Sequence, residues 1–301
     1  MAQDRITTLR NKSMPNQSDP LELQYEVATY DTRNMTYAEL VRMIPRRLYK
    51  YQSINLNALD GLRNHALWFS SPDQFNDPFD CDVSCFIGRN RRDFGDRLES
   101  FFGHVQGNVI VRTFRKGAKG WKKKNEGLMD IFRFFYRSMV QICCLSASCD
   151  NVLMWSHYAN QHQGMCLVFN SHKVGLIRDN VLPVQYYDRY PSDLVDARRI
   201  DDLAMLTKQL LAAKSSAWSY EREWRAFMVN DGNAEYTKGA LYQYDPSLLS
   251  GVVFGINTSP SDIDLVKDAI AEWKCSRRIR LYQARAVKDE FKIAIRGIGC
   301  L

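Results

Sequence analysis

Four short stretches of this chain mix aromatic rings with charged or hydroxyl groups: LYKYQS (Leu48 to Ser53), LWFSSPDQFNDPFD (Leu67 to Asp80), MWSHYA (Met154 to Ala159) and WSYEREWR (Trp218 to Arg225). Aromatic walls with a few converging polar groups are what a small-molecule pocket requires. His157 belongs to the one residue type that titrates near neutrality. Asp77, Asp80 and Asp82, taken with Glu221, Glu223 and His157, offer enough ligand atoms to hold magnesium or manganese for phosphodiester hydrolysis. The compact Asp, Glu-x-Lys spacing that would complete such a nuclease is missing.

The same residues also have plain structural uses. Glu221, Arg222, Glu223 and Arg225 suit ion pairs on a surface strand, each contributing at most about 1 kcal/mol. Asn76 and Asp77 before Pro78 are ordinary turn chemistry. His157 can bond a carbonyl in the core, and Trp155 and Tyr158 can pack rather than stack on a ligand.

To hold these side chains, the sequence predicts a central unit from Cys143 to Phe169. Ile142 to Leu145 has the apolar character of a buried strand, Asp150 can cap a helix beginning at Asn151, Gly164 offers a left-handed stop, and Met165 to Phe169 forms a second buried strand. The helix would put Met154, His157, Tyr158 and Gln161 on one face. Upstream, the pattern gives a strand at Leu48 to Tyr51, a helix at Asn55 to Asn64, and a strand at His65 to Ser70 ended by Ser71 and Pro72. Downstream come a strand at Val181 to Tyr187, a helix at Ile200 to Leu211, and strands at Glu223 to Val229, Ala240 to Tyr244 and Val252 to Ile256. A helix follows, capped by Ser259 and opened by Pro260, and the last two strands, Ile279 to Val287 and Phe291 to Ile295, form a hairpin.

Strands outnumber long helices, so the expected class is α+β: a central mixed or antiparallel sheet flanked by helices. Residues 1–44 read as an N-terminal arm and 45–301 as a single domain, with a basic helical insertion at about 88–138. Within that insertion, Arg112, Arg115, Lys116, Lys119, Lys122, Lys123 and Lys124 run without an acid and with Trp121 among them. Such a run suits a nucleic-acid partner, and it equally suits a solvated loop.

The net charge of +7 permits a phosphate-bearing partner without demanding one. The eight cysteines show no paired spacing for structural zinc and read as reduced thiols of the cytoplasm. No run approaches the roughly 20 apolar residues needed to cross a bilayer.

In order and wording, the four stretches resemble the signature of a widespread bacterial family, the domain-of-unknown-function family numbered two-nine-seven-one, over roughly Leu48 to Ile256. The resemblance to proteins of mobile-element and anti-phage neighbourhoods implies a toxic or defence role. The stretches also resemble the three-part layout of ADP-ribosyltransferases. Tyr49, Lys50 and Tyr51 stand at the early strand, Ser70 and Ser71 at the turn, and Glu221-Arg222-Glu223 at the late element. That likeness implies NAD as donor, Glu223 as the main electrostatic group with Glu221 assisting, and His157 and Tyr49 positioning substrate. Ser71 would bind ribose, Lys50 or Arg225 would meet phosphate, and Tyr51, Ser70 and Tyr158 would complete the wall. The chain departs from that pattern in lacking the early Arg or His. A divalent-metal nuclease using magnesium, and a non-catalytic sensor binding a nucleotide or a phage protein, are the alternatives.

Overall fold

The computed structural model describes residues 35, 37–82, 140–191, 208–229, 238–273 and 278–301. The basic run from Arg112 to Lys124, with its expected nucleic-acid contacts, lies outside the described residues.

The class is α+β. Ten strands form one mixed sheet in the order β12-β11-β10-β4-β1-β3-β2-β9, with β8 paired to β3 and β5 paired to β8. The strands near the site are β1 (Arg47–Gln52), β2 (Ala66–Ser70), β3 (Val140–Ser146) and β4 (Met165–Asn170). Beyond them come β5 (Val181–Pro183), β8 (Glu223–Val229) and β9 (Gly239–Gln243). The other flank holds β10 (Leu249–Phe254), β11 (Arg280–Ala286) and β12 (Ile293–Cys300). A separate parallel pair joins β6 (Gln185–Tyr187) to β7 (Ala213–Ser215). The expected single strand over Val181 to Tyr187 is therefore two, each in a different sheet. Pro183 ends β5, since proline has no N–H to give a ladder.

The helices explain themselves locally. α1 (Tyr37–Met43) lies within the expected arm, yet Leu40 and Ile44 are buried against the core. α2 (Leu56–Arg63) starts at Asn55, whose side chain accepts from the Ala58 N–H. α4 (Pro260–Ala271) is capped by Ser259 with proline in its first turn, as the sequence predicts. Between them, α3 (Val152–Tyr158) is capped by Asn151, not Asp150. Asn151 Oδ1 accepts from Leu153 N at 2.9 Å and Met154 N at 3.1 Å, whereas Asp150 is held by the Ser148 hydroxyl.

Three apolar clusters cover the sheet among the described residues, and two of them sandwich its central strands. One joins Leu48, Leu67, Leu167, Phe169, Val252 and Phe254 to α2 and α4 through Leu59, Leu62, Val266 and Ile270. The other gathers Tyr49, Tyr51, Cys166, Val168 and Val253 under Trp155 of α3. Alternation along each strand sends neighbouring residues to opposite clusters.

Where the sheet divides decides where the site lies. β8 follows β3 residue for residue from Val140↔Val229 to Ser146↔Glu223. β1 and β2 meet β3 once each, at Tyr49↔Ser146 and Ser70↔Ile142. A strand has two hydrogen-bonding edges, so β1 and β2 share the edge that β8 leaves and part from one another along it. The Lys50 ammonium reaches across this split to the Cys144 carbonyl at 3.1 Å.

Candidate functional site

A cleft of about 360 Å³ opens at the split. That volume falls in the range of small-molecule sites. Its lining draws on all four aromatic-polar stretches: Tyr49, Lys50 and Tyr51 from β1, Ser70 at the end of β2 with Phe75, Asn76 and Asp80 after it, His157 and Tyr158 from α3, and Glu221 and Glu223 around the start of β8.

At its inner side sits a charge network. Ser215 opens a 3-10 turn over Ser216–Glu221, and Arg222 closes it in the left-handed region at φ 47°. Ser146 Oγ donates to the Glu221 carbonyl at 2.7 Å and Ala147 N to that of Arg222 at 2.9 Å, so the end of β3 fixes the turn. Glu223 and Arg225 then fall on one face of β8, two residues apart. Arg225 Nε meets Glu223 Oε1 at 2.8 Å, and its Nη2 meets Asp80 Oδ2 at 2.6 Å. The guanidinium lies 5.3 Å from the Phe75 ring centre.

Lys214 completes the network from β7. Its ammonium stands 2.5 Å from Glu221 Oε2, 2.9 Å from Glu223 Oε2 and 3.4 Å from Asp80 Oδ2. The Tyr158 hydroxyl donates to Glu221 Oε1 at 2.6 Å, and Asn76 bonds Tyr158 in turn. Three carboxylates thus share two cations. Lys50, the remaining cationic lining residue, is bonded to a carbonyl rather than to an acid.

The two glutamates are driven apart. Burial opposes the charge on Glu223, but Arg225 and Lys214 outweigh it and hold that carboxyl well below the usual range. Glu221 is raised, first by burial and then by the charge of Glu223, against the pull of Lys214 and Tyr158. Burial works against the Lys214 ammonium too, yet Glu223, Asp80 and Glu221 keep it charged. Charge thus favours the ionised form of Glu223, while burial and the Glu223 charge favour the protonated form of Glu221.

Several expected site residues stand elsewhere. Arg225 has no exposed surface and both its acid partners are internal, so it meets no phosphate. Ser71 is buried and does not line the cleft, its N–H given to the Lys238 carbonyl, so it does not bind ribose there. Tyr49 and Tyr51 line the cleft but are more than nine-tenths buried; Tyr51 bonds the Ser148 carbonyl and packs its edge against Trp155 at 5.1 Å. Tyr158 and the exposed His157 present more open ring surface.

Among the candidate metal ligands, Asp77 turns inward to accept from Phe79 N at 2.9 Å, the turn role open to it from sequence. Asp82 lines a different cavity. Asp80, Glu221 and Glu223 do converge, but on Lys214, whose ammonium occupies the place a dication would need. Among the described residues no group of three or more His, Cys, Asp and Glu is arranged to hold a metal ion.

Lys214 is the residue the sequence reading passed over. A single lysine in LLAAKSSAW carries no motif; its only signal is a charge at the end of the apolar run Leu210 to Ala213.

The model of a family described as protein of unknown function (DUF2971) matches residues 154–226. The match covers less than half of the chain. The segment is narrower than the span the wording of the motifs suggested, and it holds Tyr158, Lys214, Glu221, Glu223 and Arg225, while Lys50, Asn76 and Asp80 reach the cleft from outside it. No curated protein and no solved structure matches the chain. Among the described residues, no helix is long and apolar enough to cross a membrane.

Proposed function

We propose that the cleft breaks the bond between nicotinamide and ribose in NAD and passes the ADP-ribosyl group to an acceptor, as ADP-ribosyltransferases do. The observation that carries this reading is the convergence of Glu221 and Glu223 on Lys214 in a cleft that Tyr49, Tyr51 and Tyr158 also line. An ionised Glu221 there would face an N-ribosyl pyridinium in the ground state and the ribosyl oxocarbenium as the bond breaks.

In the reaction, the C1′–N bond breaks with its electron pair leaving on nicotinamide, which becomes neutral. The acceptor nucleophile bonds to C1′ and gives its proton to Glu221. Tyr158 and Lys214 aim that carboxylate, and Glu223 acts through Lys214 rather than by touching the sugar. This inverts the ranking expected from sequence, in which Glu223 led. The toxic or defence role rests on the resemblance to proteins of anti-phage and mobile-element neighbourhoods, and we place the reaction in the cytoplasm with the thiols reduced.

The test is incubation of purified protein with labelled NAD and total cellular RNA, DNA and protein, with and without magnesium. The expected result is free nicotinamide and label transferred to one acceptor class, unaffected by EDTA and lost on Glu221→Gln. Nucleic-acid cleavage that needs magnesium, with NAD intact, would replace this reading by the nuclease. Ligand binding without turnover would replace it by the sensor.

A further inference from the structure

A second cavity, of about 170 Å³, lies beside the cleft and shares Lys214 with it. Its lining includes Phe79, Tyr187, Tyr190, Asp82 and Arg189. Two of these rings are unusually open: Phe79 is 65% exposed and Tyr190 46%. Large apolar side chains left at the surface around one concavity mark a binding site more often than scattered ones do. The FNDPFD loop, Phe75 to Asp80, explains the contrast between its two phenylalanines. Phe75 lies over Arg225 on the inner side, and Asp77 turns the chain so that Phe79 faces outward.

The charges here differ from those of the cleft. Asp188 is engaged by Ser216 Oγ at 2.5 Å, whereas exposed Arg189 bonds no carboxylate among the described residues. Aromatic faces stack on any flat heterocycle, an aspartate accepts from an exocyclic amine, and an unpaired guanidinium suits a phosphate.

We infer that this cavity binds the base of a purine nucleotide, with Phe79 and Tyr190 as stacking faces and Arg189 meeting the phosphate. The volume suits one ring system and not a whole dinucleotide. The inference extends the proposed function, since a dinucleotide with its pyridinium in the cleft would place its second base across Lys214, in the neighbouring cavity.

The probe is AMP, which has no nicotinamide to release. Its binding is measured by titration calorimetry on the full chain and on Phe79→Ala and Tyr190→Ala. The expected result is binding weakened about tenfold or more by each aromatic truncation. Both rings are exposed, so their removal leaves the fold intact, checked by an unchanged melting temperature. Absent AMP binding, or binding indifferent to Phe79 and Tyr190, overturns the inference. AMP binding that depends on both rings in a protein that never consumes NAD upholds the cavity and sinks the cleft reaction. NAD turnover with no AMP binding does the reverse.

Discussion

Arg225 grips both oxygens of Asp80, Nη1 to Oδ1 at 2.9 Å and Nη2 to Oδ2 at 2.6 Å, a fork across 145 residues of sequence. Planar two-point pairing of this kind is the strongest ion-pair geometry a protein has. It fixes the DPFD loop to β8 and so sets one wall of the cleft.

Breaking that fork is costly because it strands charge inside. Arg225→Met leaves Asp80 and Glu223 buried without their guanidinium, and the expected loss is about 3–5 kcal/mol. Urea unfolding measures it. In a double-mutant cycle, adding Asp80→Asn to Arg225→Met restores part of the loss. A single-variant loss below about 1 kcal/mol would mean the pair is solvated, as surface pairs are.

Tyr158→Phe tests how Glu221 is tuned. The phenol donates to Glu221 and favours its ionised form, so removing the hydroxyl raises that carboxyl further. If Glu221 must be ionised to accept a proton, activity rises with pH through its raised pKa. The acid limb of the kcat profile then moves to higher pH in the variant. A merely structural tyrosine would lower kcat at every pH alike.

Stability should fall in acid because of Glu223. Its folded-state pKa lies below the unfolded one, so the folded form binds fewer protons. The stabilisation is complete above the ordinary glutamate range, roughly 4 to 5, and is lost as pH drops through and below it. Glu221 has the opposite sign: its raised pKa stabilises the protonated form and that contribution fades as pH rises. Melting temperatures across acid pH report the balance, and a flat profile below the glutamate range would contradict the assignment for Glu223.

How much of this was written in the residue types can be judged from particular elements. Helix starts were legible because capping is local: Ser259 with Pro260 stands where it was expected, and Asn55 does the capping of α2. α3 slipped by one residue since Asp150 and Asn151 are both good caps, and only the Ser148 hydroxyl decides between them. The convergence of four stretches was readable from their shared chemistry. The pairing inside the cleft was not, because Glu221 and Glu223 in a surface strand look the same as in a buried one. What separates them is Lys214, delivered by the three-residue strand β7, too short to leave a period.

Two glycines hold the turn after α3. Asn160, Gln161 and His162 all take positive φ, and a Cβ on Gly255 would lie 2.1 Å from the His162 carbonyl oxygen. Gly164, expected as the left-handed stop, instead lets the Gln52 carbonyl approach to within 2.4 Å of where its Cβ would be. Gly255→Ala should destabilise by more than about 1 kcal/mol and, by displacing the turn that ends α3, lower kcat more than the stability loss alone explains. Unchanged melting would show that the turn yields freely.

Thiol chemistry gives a last check. Cys81, Cys143, Cys149 and Cys166 are buried, and burial pushes the Cys149 thiol up to about 12. Of the six described cysteines, only Cys300 is exposed. Brief alkylation of the native protein followed by peptide mapping should label Cys300 ahead of those four, which react only after unfolding. Rapid labelling of Cys149 would mean that the apolar cluster around Trp155 opens.

The long reach of the Asp80–Arg225 fork also orders events during synthesis. At roughly 5–20 residues per second, a ribosome takes about 7–30 s to go from one partner to the other. For that interval the front of the cleft exists without its floor, and a chain cut short before β7 has no lysine to align the acids. The assembled cleft is therefore withheld from the nascent chain until Arg225 has been added.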